Sequence, residues 1–411
     1  MRHRRSPVVD AWSLHPAAND AAPERLQSRL MYIGIPRETK DGERRVGMTP
    51  DGVRTLVRDG HDVVVECGAG AASGFPDAAY AACGARVVDG PDRVWDCGLV
   101  VKVKELQRQE YRRLRPHMTI FGFAQLNREP ALLAAILASG ARVIACETVR
   151  DSMKGLPLLA PMSRIAGRLA PLVGAQALQS ACEGGGTLIT GVDDVPAARV
   201  VVVGAGHVGS EAARIAARLG CRVDVWSRGA PRLARLAHAL AQEGRSVGTW
   251  QIGEPGADLA AAVAAADLVI GAVLEPGKLS PRLISRDTLR SMRRGSAIVD
   301  VGIDQGGIAE TSRMTTLSDP TYVEEGVVHY AVPNLPALVP RTATTAFCAA
   351  TLGYVRALAG RGIAAALDQD SGLAEGVMVW DGAIVHAGLA AQSKLPATTA
   401  PWRTAQHARV G

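Results

Sequence analysis

Apolar residues in this chain gather into short runs separated by longer stretches with helical spacing, and the two patterns alternate along most of its length. MYIGIP predicts a strand at 32–35, followed by a charged loop, a helix near 50–59 and a strand, DVVVE, at 62–66. LVVKVK (99–104), TIFGFA (119–124) and ARVIAC (141–146) predict three more strands with helical stretches between them. Ser163 to Ala181 reads as one long helix bridging two halves, ended by the glycines at 184–186. A second series then starts: a strand VVVV (200–203), a helix from Val208 to Leu219, a strand at 222–226, and helices near 231–242 and 258–265. It continues with a strand at 267–273, a helix near 286–293 and a strand at 297–302. Strands separated by helices imply parallel sheets with helices on both faces. The fold class expected is therefore α/β, with two doubly wound, Rossmann-like domains. The two ends break the pattern. Residues 1–30, rich in Ala, Arg and Pro, read as a flexible extension or as the product of an upstream start codon, and 391–411 read as a flexible tail.

Composition narrows this picture without redirecting it. At 411 residues the chain is long enough for two cores. Its 47% hydrophobic and 21% charged residues are those of a globular protein. Net charge is +6 and aromatics are only 4%, with no basic patch interleaved with aromatics, so nucleic acid is not an expected partner. No apolar stretch is long enough to span a membrane, and the basic start lacks the apolar segment of a secretory signal. Seven scattered cysteines without a Cys-x-x-Cys pair suggest buried, reduced thiols in a cytoplasmic protein, and no metal site is expected.

The first chemistry lies in Gly204-Ala-Gly206-His207-Val208-Gly209, a full G-x-G-x-x-G between the valine run and a helical pattern. Gly204 permits the tight turn, Gly206 lets the backbone approach a pyrophosphate, and Gly209 lets the helix pack closely on the strand. The helix N-terminus then offers N–H groups to phosphate. About twenty residues on, where an NAD enzyme places an acid for the adenine ribose, the strand VDVWSRG ends in Ser227 and Arg228. Arg228, with Arg232 one helical turn further, can pair with a 2′-phosphate. The expected cofactor is NADP, with NAD as the alternative should Arg228 be only a solvated loop residue.

Several stretches carry a wider signal: GIPRETKDGERRVGMTP, LVVKVKE, LPLLAPMSRIAGRLAPLVGA, DLVIGAVLEPG, IVDVGIDQGGIAETSRMTT and VVHYAVPNLPALVPRTAT. Together they resemble the alanine dehydrogenase family, within the group that also holds the nucleotide-binding subunit of proton-translocating transhydrogenase. The resemblance spans about residues 31–390. It implies a substrate domain of residues 31–162 and 331–390, with a dinucleotide-binding domain, 163–330, inserted between the two parts. It puts Arg45 and Lys104 on a substrate carboxylate, which a forked guanidinium and an ammonium can clamp together. It makes Asp304, in IDQGG, the active-site aspartate. Ser163, His207, Val208, Val273, Leu274, Arg313 and Asn334 fall on its nucleotide-contacting positions, with His207 facing the cofactor through backbone rather than as a catalytic group. It further implies a homo-oligomer, a hexamer or a dimer.

One departure bears on the reaction. Where the family carries a catalytic histidine in F-x-F-x-H-L, this chain reads Phe121-Gly-Phe-Ala-Gln125-Leu126. An amide can donate a hydrogen bond to a carbonyl or imine but cannot exchange a proton near neutral pH. Hydride transfer belongs to the nicotinamide and is unaffected. The expected function is NADP-linked hydride transfer to or from a small amino, imino or keto acid other than plain alanine, with a preformed imine suiting Gln125 best. The alternative is a nucleotide-binding homologue that has lost turnover. Transhydrogenase-like hydride exchange between nucleotides fits less well, because that subfamily has Asn where Lys104 stands and lacks the IDQGG aspartate.

Overall fold

The structure is a computed structural model that describes residues 30–253, 258–273 and 279–403. The first series of apolar runs forms β1 (Tyr32–Ile35), β2 (Asp62–Glu66), β3 (Arg86–Val88), β4 (Leu99–Val101), β5 (Thr119–Gly122) and β6 (Arg142–Ala145). The second forms β7 (Arg199–Val203), β8 (Arg222–Ser227), β9 (Gly248–Gln251), β10 (Leu268–Gly271), β11 (Ala297–Asp300), β12 (Thr321–Glu324) and β13 (Val327–Tyr330). Two late strands, β14 (Val377–Trp380) and β15 (Ala383–Ile384), complete the set.

These strands make two sheets. The first runs β15-β14-β6-β5-β4-β1-β2-β3 and the second β12-β13-β11-β10-β7-β8-β9. Both share one plan. In each, the first strand of its series sits centrally, the next two extend to one side, and the following strands build out the other. Pairing is parallel throughout these cores. The exceptions are β14, which returns antiparallel to β6, its partner β15, and the β12–β13 hairpin. Alternate side chains of a central strand face opposite cores, as period-two geometry requires. Val200 and Val202 enter one apolar cluster, and Val201 and Val203 the other. The expected α/β class with two doubly wound units is what the chain forms.

The bridging helix spans Ala160–Ala177, starting three residues before the expected Ser163, with Pro161 in its first turn. Proline is tolerated there because its missing N–H has no intrahelical acceptor in any case. After this helix a short 3₁₀ turn, Ser180–Cys182, carries the chain onward. Helix Pro340–Arg361 places Phe347 and Val355 in the same core as Ile33 and Val65, so the last part of the chain rejoins the first sheet.

Two expectations need correction. The segment expected as a flexible tail is anchored at two points although most of residues 391–400 are exposed: Trp402 is 3% exposed, its ring lies 5.5 Å from that of Trp380, and Thr398 N–H donates to the Ile384 carbonyl. Ala, Thr and Pro hid this, since one buried indole outweighs its polar surroundings. Cys67 is exposed and Cys182 only partly buried, although the other five thiols are buried as expected. The expected extension lies almost entirely outside the described residues. No described helix is long and apolar enough to cross a membrane.

Candidate active site

Doubly wound sheets bind ligands beyond the carboxyl ends of their strands, where neighbouring connections diverge. Each sheet has such a point, between β7 and β10 in one and between β1 and β4 in the other. The glycine loop follows β7, and Ala272 and Val273 follow β10. Gly204 has φ +114°, and a Cβ there would lie 2.3 Å from the Ala272 carbonyl oxygen. A Cβ on Gly209 would lie 1.8 Å from the Gly204 carbonyl oxygen. At Gly206 a Cβ would meet nothing within 4 Å, because it would project into an open cleft. The fingerprint thus does three separate things: it makes the turn, seats the helix His207–Arg218, and leaves bare backbone facing a cavity.

That cavity is a cleft of about 860 Å³ lined by residues of both halves. Ser163, Gly204, Gly206, His207, Val208 and Val273 line it, and Ser227, Arg228 and Arg232 close its far end. Arg235 joins Arg232 on one face of helix Ala230–Gln242, and Arg150 and Lys154 enter from the first half. Among the described residues no carboxylate lines the cleft. Desolvation lowers the His207 pKa, with Arg164 and Arg232 repelling its cationic form. A concave site with bare glycine backbone, a helix N-terminus and clustered guanidinium groups is suited to a dianionic or trianionic dinucleotide. The residues present therefore fit a nicotinamide dinucleotide. Leu274 lies outside the described residues. Arg313 does not line the cleft; its guanidinium stacks 3.7 Å from the Tyr322 ring centroid.

The residues expected at the substrate come from the other sheet's diverging connections. Arg45 lies on the loop after β1 and Lys104 just after β4, which puts them on adjacent strands. Both are buried, at 2% and 7% exposure. Arg45 is already held by a carboxylate: its Nε donates to Glu43 Oε1 at 2.7 Å and its Nη2 to Glu43 Oε2 at 2.5 Å. Nη2 also donates to Asn334 Oδ1 at 2.6 Å, and Asn334 Nδ2 donates to Glu43 at 2.9 Å. Asn334, expected at the nucleotide, is thus drawn to the Arg45–Glu43 pair. Burial pushes the Glu43 pKa up, but its hydrogen bonds and charge attraction to Arg45 prevail and bring it down to about 2. Lys104 sits 3.5 Å from Glu105, which Lys40 also contacts. Burial lowers the Lys104 pKa; Glu105 opposes this, while Lys40 and Arg45 reinforce it. Behind them Glu38 accepts from Val103 N–H at 2.6 Å and is paired with the wholly buried Lys102.

The remaining two predicted groups do not line that cleft, but Arg128 links the segments that carry them. Gln125 follows β5 and Asp304 lies in the 3₁₀ turn Ile303–Gln305 after β11. Arg128, on the Gln125 loop, donates to Asp304 Oδ2 at 3.2 Å. Gln125 takes a left-handed backbone with φ +45°. Its N–H donates to Glu147 Oε1 at 2.7 Å, and the Ala124 N–H reaches both Glu147 oxygens at 3.1 and 3.2 Å. Burial raises the Glu147 pKa, against the pull of these N–H donors and of Lys104. Glu43, Arg128 and Glu147 escaped the sequence reading. Charged residues in loops look solvated until the fold shows what faces them.

Family models for "Alanine dehydrogenase/PNT, N-terminal domain" and "Alanine dehydrogenase/PNT, C-terminal domain" match residues 34–166 and 170–387. An alanine dehydrogenase of Halomonas elongata is 46% identical over 361 residues, covering 88% of this chain and 96% of its own length. One from Bacillus subtilis is 42% identical over the same share of this chain and 94% of its own. Among solved structures, an L-alanine dehydrogenase superposes with a TM-score of 0.84 at 41% identity, covering 89% of this chain and 99% of its own. A transhydrogenase from Sinorhizobium meliloti gives 0.73 at 25%, covering 86% and 100%.

Proposed function

The chain belongs to the alanine dehydrogenase/PNT family, and from that premise we propose that it is an NADP-linked oxidoreductase exchanging hydride with a small amino, imino or keto acid. The reading includes a preference for a preformed imine over pyruvate plus ammonia, a homo-oligomeric assembly and a cytoplasmic location. The observation that carries the cofactor preference is the far end of the cleft, where Ser227 replaces a ribose-binding acid and Arg228, Arg232 and Arg235 gather. A carboxylate there would repel a 2′-phosphate; guanidinium groups attract it.

A bound nicotinamide supplies the hydride chemistry. The chain's own residues do the rest. Gly206 and the N–H groups at the start of helix His207–Arg218 receive the pyrophosphate. Lys104 and the Nη1 face of Arg45, whose present partner is only Met162 Sδ at 3.2 Å, receive the substrate carboxylate. Gln125 donates its side-chain N–H to the substrate's oxygen or nitrogen. Asp304, now paired with Arg128, orients a cationic amine. Gln125 cannot deliver the protons that carbinolamine breakdown requires, which is why a preformed imine suits this site.

Fluorescence titration with NADPH and NADH tests the cofactor assignment, with Arg228→Ala as comparison. NADPH is expected to bind more tightly, by a margin that shrinks as salt rises and in the variant. Equal affinities or an NADH preference would overturn it. Gln125 itself favours a second reading, a nucleotide-binding homologue without turnover; nucleotide binding with no activity on any imino or keto acid would establish that reading instead.

A further inference from the structure

The loop that carries Gln125 has one backbone feature the reaction does not yet explain. A non-glycine residue at φ +45° is disfavoured unless its surroundings hold it there. The Gln125 carbonyl accepts from Arg128 N–H at 3.1 Å, and on the other side its N–H is held by a single carboxylate. Glu147 stands two residues beyond β6, the parallel neighbour of β5, so its side chain lies at the same sheet edge as the Gln125 loop. It engages two consecutive N–H groups, those of Ala124 and Gln125. Consecutive N–H groups converging on one anion form a small concave binding site, and bonds to an ionised acceptor are the stronger kind. Among the described residues the Gln125 side-chain amide has no hydrogen-bond partner. Its backbone is clamped while its functional group remains available.

We propose that Glu147 is a positioning residue of the reaction: by binding the Ala124 and Gln125 N–H groups it fixes the left-handed turn that presents the Gln125 amide to the substrate. The inference rests on the reading of Gln125 as the group that meets the substrate's carbonyl or imine. Lys104, whose field also acts on Glu147, links this anchor to the carboxylate clamp. The substrate's acid group and its reacting carbon are thereby referenced to neighbouring strands of one sheet.

Four proteins test this: the unmodified chain, Glu147→Ala, Glu147→Gln and Gln125→Ala. Backbone hydrogen exchange over residues 123–127 reports on the turn without requiring turnover. Glu147→Ala is expected to speed it by about tenfold or more, and Glu147→Gln, which keeps one acceptor oxygen, to restore most of the protection. In steady-state reduction of a cyclic imino acid, Glu147→Ala is expected to lower kcat by about tenfold to a hundredfold, as small misplacements of a reacting group do. The KM for nucleotide is expected to stay within about twofold, a split that general loosening of the fold would not produce. Unchanged exchange, or unchanged kcat beside a damaged Gln125→Ala, overturns the proposal. If Gln125→Ala leaves kcat unaltered while exchange responds to Glu147, the reading of Gln125 fails and Glu147's hold on the loop survives. Should Glu147→Ala not fold, Glu147→Asp takes its place, since its shortened carboxylate cannot reach both N–H groups.

Discussion

The candidate nucleotide cleft is shaped by backbone, and the site proposed for the substrate by buried charge. At Gly204, Gly206 and Gly209 what matters is the absent side chain, and the arginines around Ser227 are exposed. At the other site the charges are buried in pairs: Arg45 with Glu43, Lys102 with Glu38 and Glu110, and Lys104 with Glu105. At Gly206, where an added Cβ meets nothing within 4 Å, a substitution should remove ligand binding and little else, whereas Gly204 and Gly209 are also packed against backbone. A desolvated charge network also helps hold the domain together, because each member left alone would be an uncompensated buried ion. The two ends should therefore respond to mutation in different ways.

The largest effect is expected at Glu43. Glu43→Ala strands the Arg45 guanidinium and should cost about 3–5 kcal/mol of folding stability in denaturant unfolding. The pH dependence has a definite sign. Glu43 is held at about 2 against its ordinary 4.5, so its contribution is present above the ordinary value and disappears as pH falls toward 2. Glu43→Gln should flatten that acid limb, and an unflattened limb would show that the pair stores no such energy. Next comes Lys104→Ala, expected to weaken pyruvate binding by about 2–5 kcal/mol while nucleotide titration stays unchanged. Undiminished pyruvate binding would return Lys104 to a purely structural role.

At the other end, Gly206→Ala should leave the melting curve intact, since its Cβ meets nothing within 4 Å, yet weaken nucleotide binding. About tenfold, or ~1.4 kcal/mol, is expected. Melting that falls along with affinity would break the contrast between the two ends. The smallest change is Gln125→His, which should raise alanine formation from pyruvate and ammonia by about tenfold. It should also introduce a pH dependence near 6.5, the unperturbed imidazole value. Vigorous alanine formation by the unmodified protein would refute the argument that Gln125 limits proton delivery.

The contrast also explains what could be read from sequence. The central parallel strands are buried on both faces, so each appears as an unbroken apolar run, and β1, β2 and β7 fall within a residue of their expected limits. β9 and β12 were missed because their residues are largely part-exposed or polar, and β14 and β15 because they are short and lie beyond the repeating pattern. In the site, the glycine loop and Ser227 could be placed from local spacing alone. Arg45, Lys104 and Asp304 needed a family resemblance, and their partners were invisible even to that. Asn334 is 289 residues from Arg45 in sequence and hydrogen-bonded to it in space. No local pattern encodes such a pairing.

The bridging helix Ala160–Ala177 touches both the nucleotide cleft and the Arg45 network within two turns. Met162 receives the Nη1 hydrogen of Arg45, Ser163 lines the nucleotide cleft, and a Cβ at Gly167 would lie 2.3 Å from the Val208 carbonyl oxygen in the glycine-loop helix. These contacts all fall near its N-terminal end, so no loop separates the phosphate-binding turn from the guanidinium proposed to meet the substrate. Thermodynamic reciprocity then makes this a two-way lever: by whatever factor nucleotide tightens the grip on substrate, substrate tightens the grip on nucleotide.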